Sequence, residues 1–221
     1  MTVKISPSMM CARLCDLPCT LQTFADAGVE LLHIDVMDGV FVPNYALGTD
    51  FVRQLRAISA IPLDIHLMVE RPEDKLHWFE TRPGDYVSVH AESTAHLHRA
   101  LAKIRETGAK PIAAINPGTH YGALEYVLGN IDAILVMTVD PGYAGQALVE
   151  GAIKKIADLR NWLYEAGYAH IEIEVDGNVS FANAKRMRAA GANMFVAGSS
   201  SVFRSDMELP DAIRMLRESI F

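Results

Sequence analysis

The sequence has few cysteines: three in 221 residues, with Cys11, Cys15 and Cys19 all inside one short segment. An odd, clustered set gives no disulfide framework. The C-x3-C-x3-C spacing has a superficial likeness to an iron–sulfur ligand set, but three reduced thiols, some of them buried, is the simpler expectation. Positive charge is also short, with 20 Lys and Arg against 27 Asp and Glu and a formal net charge of −7. That balance argues against a nucleic-acid surface. It leaves a phosphorylated small molecule open, because backbone amides bind phosphate in acidic proteins too. There is no apolar run of about 18 residues, so no membrane helix is expected. The opening Met1-Thr2-Val3-Lys4-Ile5 lacks a signal-peptide layout, so a cytoplasmic location is expected. No linker, low-complexity tract or repeat interrupts the chain. A half-hydrophobic chain of this length can bury one good core but not two, so residues 1–221 are expected to form one domain.

What the sequence does have is alternation of strand and helix. Strands are expected at Lys4–Met10, Leu31–Met37, Leu63–Val69, Tyr86–His90, Pro111–Asn116, Ala133–Val139, Ile171–Asp176 and Met194–Gly198. Between them the spacing predicts helices, clearest at Thr94–Thr107, Gly122–Leu128, Val149–Ala166, Phe181–Ala189 and Leu209–Glu218. Ala27-Gly28, Thr107-Gly108, Ala166-Gly167 and Ala190-Gly191 read as helix ends closed by a left-handed glycine. Eight such units in this length favour an α/β fold of the (β/α)8 TIM-barrel kind over an open doubly wound sheet.

In Leu31-Leu32-His33-Ile34-Asp35-Val36-Met37, His33 and Asp35 are two apart on a strand and face the same way. His66 lies on the strand Leu63–Val69, and Asp176 ends the strand Ile171–Asp176. Polar groups in such apolar surroundings need partners. A barrel of this kind forms its site at the C-terminal strand ends, where Ser8, Cys11, Asp35, Met37, His66, Met68, Asp140, Asp176 and Ser199 fall, with His33 one layer deeper. Each residue alone has a structural explanation: a satisfied core histidine, or a helix-capping aspartate. Together His33, Asp35, His66 and Asp176 favour the reading of a divalent-metal site over those separate roles. Its mixed nitrogen and oxygen donors suit Zn, Fe, Mn or Co better than Ca. Two carboxylates on different strands could serve opposite faces of a substrate, one removing a proton from carbon and the other returning one, which inverts a stereocentre.

Phosphate-binding candidates are the loops Asp140-Pro141-Gly142-Tyr143-Ala144-Gly145-Gln146, Asp176-Gly177-Asn178 and Ala197-Gly198-Ser199-Ser200-Ser201, the last read as opening a short helix. Tight turns explain each loop singly; their places after the sixth, seventh and eighth strands favour phosphate. Met37, Met68 and Met137 near strand ends are either core packing or an adaptable apolar wall to the site.

The motifs Ile5-Ser6-Pro7-Ser8, His33-Ile34-Asp35-Val36-Met37-Asp38-Gly39 with Phe41-Val42-Pro43-Asn44, and Asp64-Ile65-His66-Leu67-Met68 come early in the chain. Asn116-Pro117-Gly118-Thr119, the 140–146 loop, Glu174-Val175-Asp176-Gly177 and Ala197-Gly198-Ser199 follow in order. With these motifs the chain resembles the ribulose-phosphate 3-epimerase family over essentially its full length. The resemblance implies a (β/α)8 barrel holding one divalent ion (Zn, Fe, Mn, Co or Mg) on His33, Asp35, His66 and Asp176. It implies that Asp35 and Asp176 are an acid/base pair epimerising C3 of a ketose phosphate through a metal-stabilised cis-enediolate. Ser8, His66, Gly142, Tyr143, Ala144, Gly145, Gly177, Asn178, Gly198 and Ser199 would hold the substrate and its phosphate, and a homo-oligomer is implied. Four positions depart from the usual pentose-phosphate pattern: Cys11 for Ser, Asp140 for Asn, Ala144 for Gly and Asn178 for Gly. With Met10-Cys11 and Met137-Thr138-Val139-Asp140-Pro141-Gly142, they look more like the D-allulose-6-phosphate 3-epimerase branch, with D-ribulose 5-phosphate as the other substrate expected. Two alternatives are a lyase similar to orotidine-monophosphate decarboxylase and a sugar-phosphate-binding barrel without turnover. The first would need a lysine where His66 stands, and the second would be expected to have lost a ligand or carboxylate.

Overall fold

In the computed structural model, residues 2–221 are described. Eight strands form one parallel sheet: β1 (Lys4–Pro7), β2 (Leu32–Met37), β3 (Leu63–Met68), β4 (Tyr86–His90), β5 (Lys110–Ile115), β6 (Ala133–Met137), β7 (Glu172–Asp176) and β8 (Met194–Ala197). The hydrogen-bonded order is β1-β8-β7-β6-β5-β4-β3-β2. The remaining seam, β1 against β2, is drawn together by a parallel bridge from Ser8 to His33 and by Leu31 N–H donating to Ile5 O at 3.4 Å. The expected barrel is therefore the observed one, with its β1–β2 closure made beside the first candidate histidine.

Six α-helices surround it: α1 (Leu17–Asp26), α2 (Thr49–Ile58), α3 (Leu97–Glu106), α4 (Gly151–Glu165), α5 (Phe181–Ala190) and α6 (Leu209–Ile220). Their apolar residues recur at helical spacing; α4 buries Ala152, Ile156, Leu159 and Leu163 against the barrel. Strands covered on the outside by helices and filled on the inside by side chains read as near-continuous apolar runs, and every residue of β6 is apolar and buried. The proposed caps hold: Gly28, Gly108, Gly167 and Gly191 all have positive φ.

Some boundaries differ from the sequence reading. β1 ends at Pro7, with Ser8 N–H still donating to Ala197 O, before Met9–Cys11 forms a short 3-10 turn, so Cys11 does not end the strand. No cysteine is fully buried; Cys11 is half-buried, while Cys15 and Cys19 are exposed. The helix expected at Gly122–Leu128 is a 3-10 stretch, Tyr121–Asn130, where Gly122 and Gly129 weaken α-helix and Leu124 and Val127 are buried three apart. Two short 3-10 turns, Pro72–Asp74 and Leu76–Trp78, replace a helix between β3 and β4. The residues after β8 form turns rather than a short helix, with Gly198 O accepting from Ser201 N–H and Phe203 N–H.

Candidate active site

Three strands carry pairs of ionisable side chains at two-residue spacing: His33 and Asp35 on β2, Asp64 and His66 on β3, Glu174 and Asp176 on β7. Same-face spacing and parallel register sort them into two layers inside the barrel. His33 lies opposite Asp64 and Asp35 opposite His66 in the β2–β3 ladder. The upper layer faces the C-terminal mouth; the lower one is sealed beneath it.

At the mouth, four side-chain atoms converge. His33 Nε2 is 3.3 Å from Asp35 Oδ1 and 3.9 Å from Asp176 Oδ2. His66 Nδ1 is 3.6 Å and 3.7 Å from the same two oxygens. Cation bonds of about 2.0–2.2 Å place tetrahedral neighbours about 3.3–3.6 Å apart, so the spacing suits four donors around one small divalent ion. His33 Nε2 and His66 Nδ1 are both buried without a hydrogen-bond partner, which is costly unless something else engages them. Their other ring nitrogens are engaged: His33 Nδ1 with Asp64 Oδ2 at 2.6 Å and His66 Nε2 with His90 Nε2 at 2.7 Å. Asp35 Oδ2 accepts from Ser8 Oγ at 2.7 Å. The residues present fit a divalent cation at the point where the four atoms meet.

The lower layer serves the upper. Asp64 Oδ2 also accepts from Ser6 Oγ at 2.9 Å, so Asp64 anchors the His33 ring. Glu174 lies beside it, and no donor in the protein reaches either Glu174 oxygen or Asp64 Oδ1. Burial, with the Asp64 charge adding to it, holds the Glu174 carboxyl well above the usual range, so a proton on Glu174 can be given to Asp64. This triad is not a second cation site, because His33 Nδ1 and Asp64 Oδ2 stand at hydrogen-bond distance.

The two mouth carboxyls are pushed apart. Burial opposes charge on Asp35, but His33 and His66 outweigh it and its pKa lies well below the usual carboxylate range. Burial pushes Asp176 up to about 7, with His33 opposing and Asp35 adding. Burial also disfavours charge on His33, yet Asp64 and Asp35 overcome it and raise its pKa. For His66 burial prevails and its pKa is lowered.

Above this floor opens a cavity at the barrel mouth. Ser8, Asp35 and Asp176 line it, as do Met37, Met68 and Met137, so the methionines are both core and wall. Gly142, Tyr143, Ala144, Gly145, Gly177, Asn178, Gly198 and Ser199 line it too. His33 and His66 are fully buried below. Tyr143 OH is occupied, donating to Pro43 O at 2.8 Å. Gly177 has φ +116°, and a Cβ there would come within 2.5 Å of Val139 Cγ2, so this turn admits only glycine. Asn178 follows at φ +49° and donates from Nδ2 to Gln146 O at 2.6 Å, tying the loops after β6 and β7 together. Among the described residues no lysine or arginine lines the cavity.

Residues 4–203 match the profile of the Ribulose-phosphate 3 epimerase family. The chain belongs to that family. Its relatives agree. It is 45% identical to "Ribulose-5-phosphate-3-epimerase, chloroplastic" of Arabidopsis thaliana over 90% of this chain and 71% of that protein. It is 38% identical to the Bacillus subtilis ribulose-phosphate 3-epimerase over 92% and 94%, and 37% identical to that of Methanocaldococcus jannaschii over 98% and 91%. Membership makes this chain an epimerase, an isomerase acting on carbohydrate phosphates. Among solved structures it resembles a 3-hexulose-6-phosphate synthase from Salmonella typhimurium, with TM-score 0.67, 14% identity and 98% of each chain covered. It also resembles KGPDC from Streptococcus mutans, with TM-score 0.69, 13% identity and 100% and 98% covered. At that identity these two show the barrel fold alone. No helix of the described residues is long and apolar enough to cross a membrane.

The four positions singled out in the sequence, Cys11, Asp140, Ala144 and Asn178, all line this same cavity. Sequence reading left Asp64, His90 and Glu174 without a role. The two-residue spacing that singled out His33 and Asp35 recurs at Asp64 and His66 and at Glu174 and Asp176, and would have found two of the three.

Proposed function

We propose that this epimerase inverts C3 of a ketose phosphate by moving protons between Asp35, Asp176 and the two faces of the substrate. The observation that carries the reading is the meeting of two partnerless histidine nitrogens with two carboxyls whose affinities for protons are driven apart. Environments that separate a pair in this way fit one for base and the other for acid duty. Asp35, ionised and held by Ser8, takes the C3 proton and leaves an enediolate; Asp176, on the other side, returns a solvent-derived proton to the opposite face. In reverse the roles exchange. β2 and β7 stand on either side of β1 and β8 in the barrel, which lets the two carboxyls approach from different sides. His33, Asp35, His66 and Asp176 would hold a divalent cation, whose chemistry is Lewis-acid stabilisation of charge on neighbouring substrate oxygens. Buried methionines keep water from the carbanion. With no cationic side chain in the lining, the phosphate rests on backbone N–H groups and the Ser199 hydroxyl in the loops after β6, β7 and β8.

We take the substrate to be D-allulose 6-phosphate, because the four departures from the pentose-phosphate pattern share the cavity wall. D-ribulose 5-phosphate is the second reading, favoured by the names of the relatives. Assays of both with divalent metal supplied decide between them. A higher kcat/KM for the hexulose ties the departures to substrate length; a higher value for the pentulose makes them neutral. Turnover of neither would remove both substrates.

Cation affinity should depend on pH with a definite sign. Before binding, Asp176 carries a proton below about 7 and the raised pKa of His33 keeps its ring charged. Binding must displace those protons, so affinity is expected to rise with pH through neutrality and to fall on acidification. Calorimetric Zn²⁺ titration in buffers of different protonation enthalpy should record proton release. An affinity flat between about pH 6 and 8 would contradict the assignment of these two groups as ligands.

A further inference from the structure

His90, the last residue of β4, is fully buried and lies outside the set of four. Its ring and that of His66 are tilted by only 21°, with centroids 5.0 Å apart and Nε2 atoms 2.7 Å apart. The rings therefore meet end to end, nearly coplanar, the geometry of an N–H···N hydrogen bond. Behind His90, Nδ1 is 3.4 Å from Glu92 Oε2. Glu92 is itself fixed, since its Oε1 accepts from Asn116 N–H at 2.8 Å and from Thr119 Oγ1. That loop is clamped in turn by Lys155 Nζ, which donates to Asn116 O, Pro117 O and Thr119 O. Phe41 covers the His90 ring with its centroid 4.8 Å away.

An imidazole pair needs one donor and one acceptor, which leaves two arrangements. If His90 donated, its bare Nδ1 would face the Glu92 carboxylate, and His66 would carry its proton on Nδ1, at the point where the four atoms converge. If His66 donates, His90 Nδ1–H points at Glu92 and His66 Nδ1 is bare toward Asp35 and Asp176. Only the second arrangement turns a proton, rather than a bare lone pair, from His90 Nδ1 toward the Glu92 carboxylate 3.4 Å away, and leaves the unpartnered His66 Nδ1 bare where the four atoms converge. We propose that His90, backed by Glu92, is a positioning residue that fixes His66 in its Nε2–H tautomer and aims Nδ1 at the cation position. It is the counterpart on β3 and β4 of the Asp64 support to His33, and it rests on the reading of His66 as a ligand. Such supports are worth about 10–100-fold in metal affinity.

Two readouts on the full chain test it. Long-range ¹H–¹⁵N correlation of ¹⁵N-histidine protein, free of metal, should show His66 protonated at Nε2 and His90 at Nδ1. His66 protonated at Nδ1 would overturn the proposal. Zn²⁺ affinity, by competition with a chromophoric chelator, should fall about 10–100-fold in His90→Phe and recover largely in His90→Gln, whose amide oxygen accepts the same bond. Equal Zn²⁺ affinity in wild type and His90→Phe would also overturn it. Glu92→Ala, which removes the acceptor behind His90 Nδ1, should mix the His90 tautomers and covers the case in which His90→Phe does not fold; unchanged tautomers there would count against the relay. Wild-type protein that binds no Zn²⁺ while showing the expected tautomers would instead remove the ligand reading of His66, so the two failures are distinguishable.

Discussion

Asp176→Asn is expected to lower kcat for 3-epimerisation by about 10²–10⁴-fold, the contribution usual for one acid/base group, and to leave the fold intact. The amide matches the carboxyl in shape but neither gives nor takes a proton near neutral pH. It also offers a weaker oxygen to the cation, so the loss belongs at the upper end of that range. Stability should not suffer. Burial raises the Asp176 pKa in the folded chain to about 7, so the native state holds a proton there that the unfolded chain has released. Such a group costs stability as pH rises from about 4 to 7, and a neutral amide escapes that cost. Thermal melting at pH 8 in the absence of metal should therefore show a Tm equal to or above wild type. A variant with near-normal kcat would strip Asp176 of its role.

Removal of divalent metal is expected to abolish turnover and to be reversible. His33 Nε2 and His66 Nδ1 have no partner in the protein, and Asp35 and Asp176 are brought close together in a buried setting. An ion that supplies charge to the substrate's oxygens carries several kcal/mol of the barrier, so the chelated, desalted protein should lose at least about 10³-fold in kcat. Adding back Zn²⁺, Mn²⁺, Fe²⁺ or Co²⁺ should restore activity at one ion per chain for at least one of them. Binding should also show in melting: at about 100 times Kd one site adds about 2.7 kcal/mol, or about 5–10 °C for a chain of this size. Full activity in protein with no detectable metal would end the cation reading.

The barrel was legible in the sequence because parallel strands buried on both faces are continuous apolar runs, and because Ala-Gly pairs close the helices. Elements without those signals were misplaced. The strand read through Pro7 and Ser8 to Met10 gives way to a 3-10 turn at Met9, and the glycines of the 121–130 segment tighten it into 3-10 turns. The mouth of the site was legible because His33 and Asp35 are polar residues spaced two apart in an apolar strand. The supports beneath and behind were not. Asp64 and Glu174 are a strand's ordinary polar positions until the register sets them under His33. His90 gains its partner only through the β3–β4 pairing, which no local pattern records. The tie between Asn178 and Gln146 was equally hidden, because it joins loops from different units.

The most direct test of the two-carboxylate account is the fate of the C3 hydrogen, followed by ¹H NMR during turnover in D₂O. One residue removes the proton and another, carrying solvent-derived deuterium, delivers to the opposite face. Product formed early should carry deuterium at C3, while unreacted substrate keeps its hydrogen. Product that retains the original C3 hydrogen would mean that a single group carries the proton across, or that no proton leaves at all, and would contradict the roles given to Asp35 and Asp176.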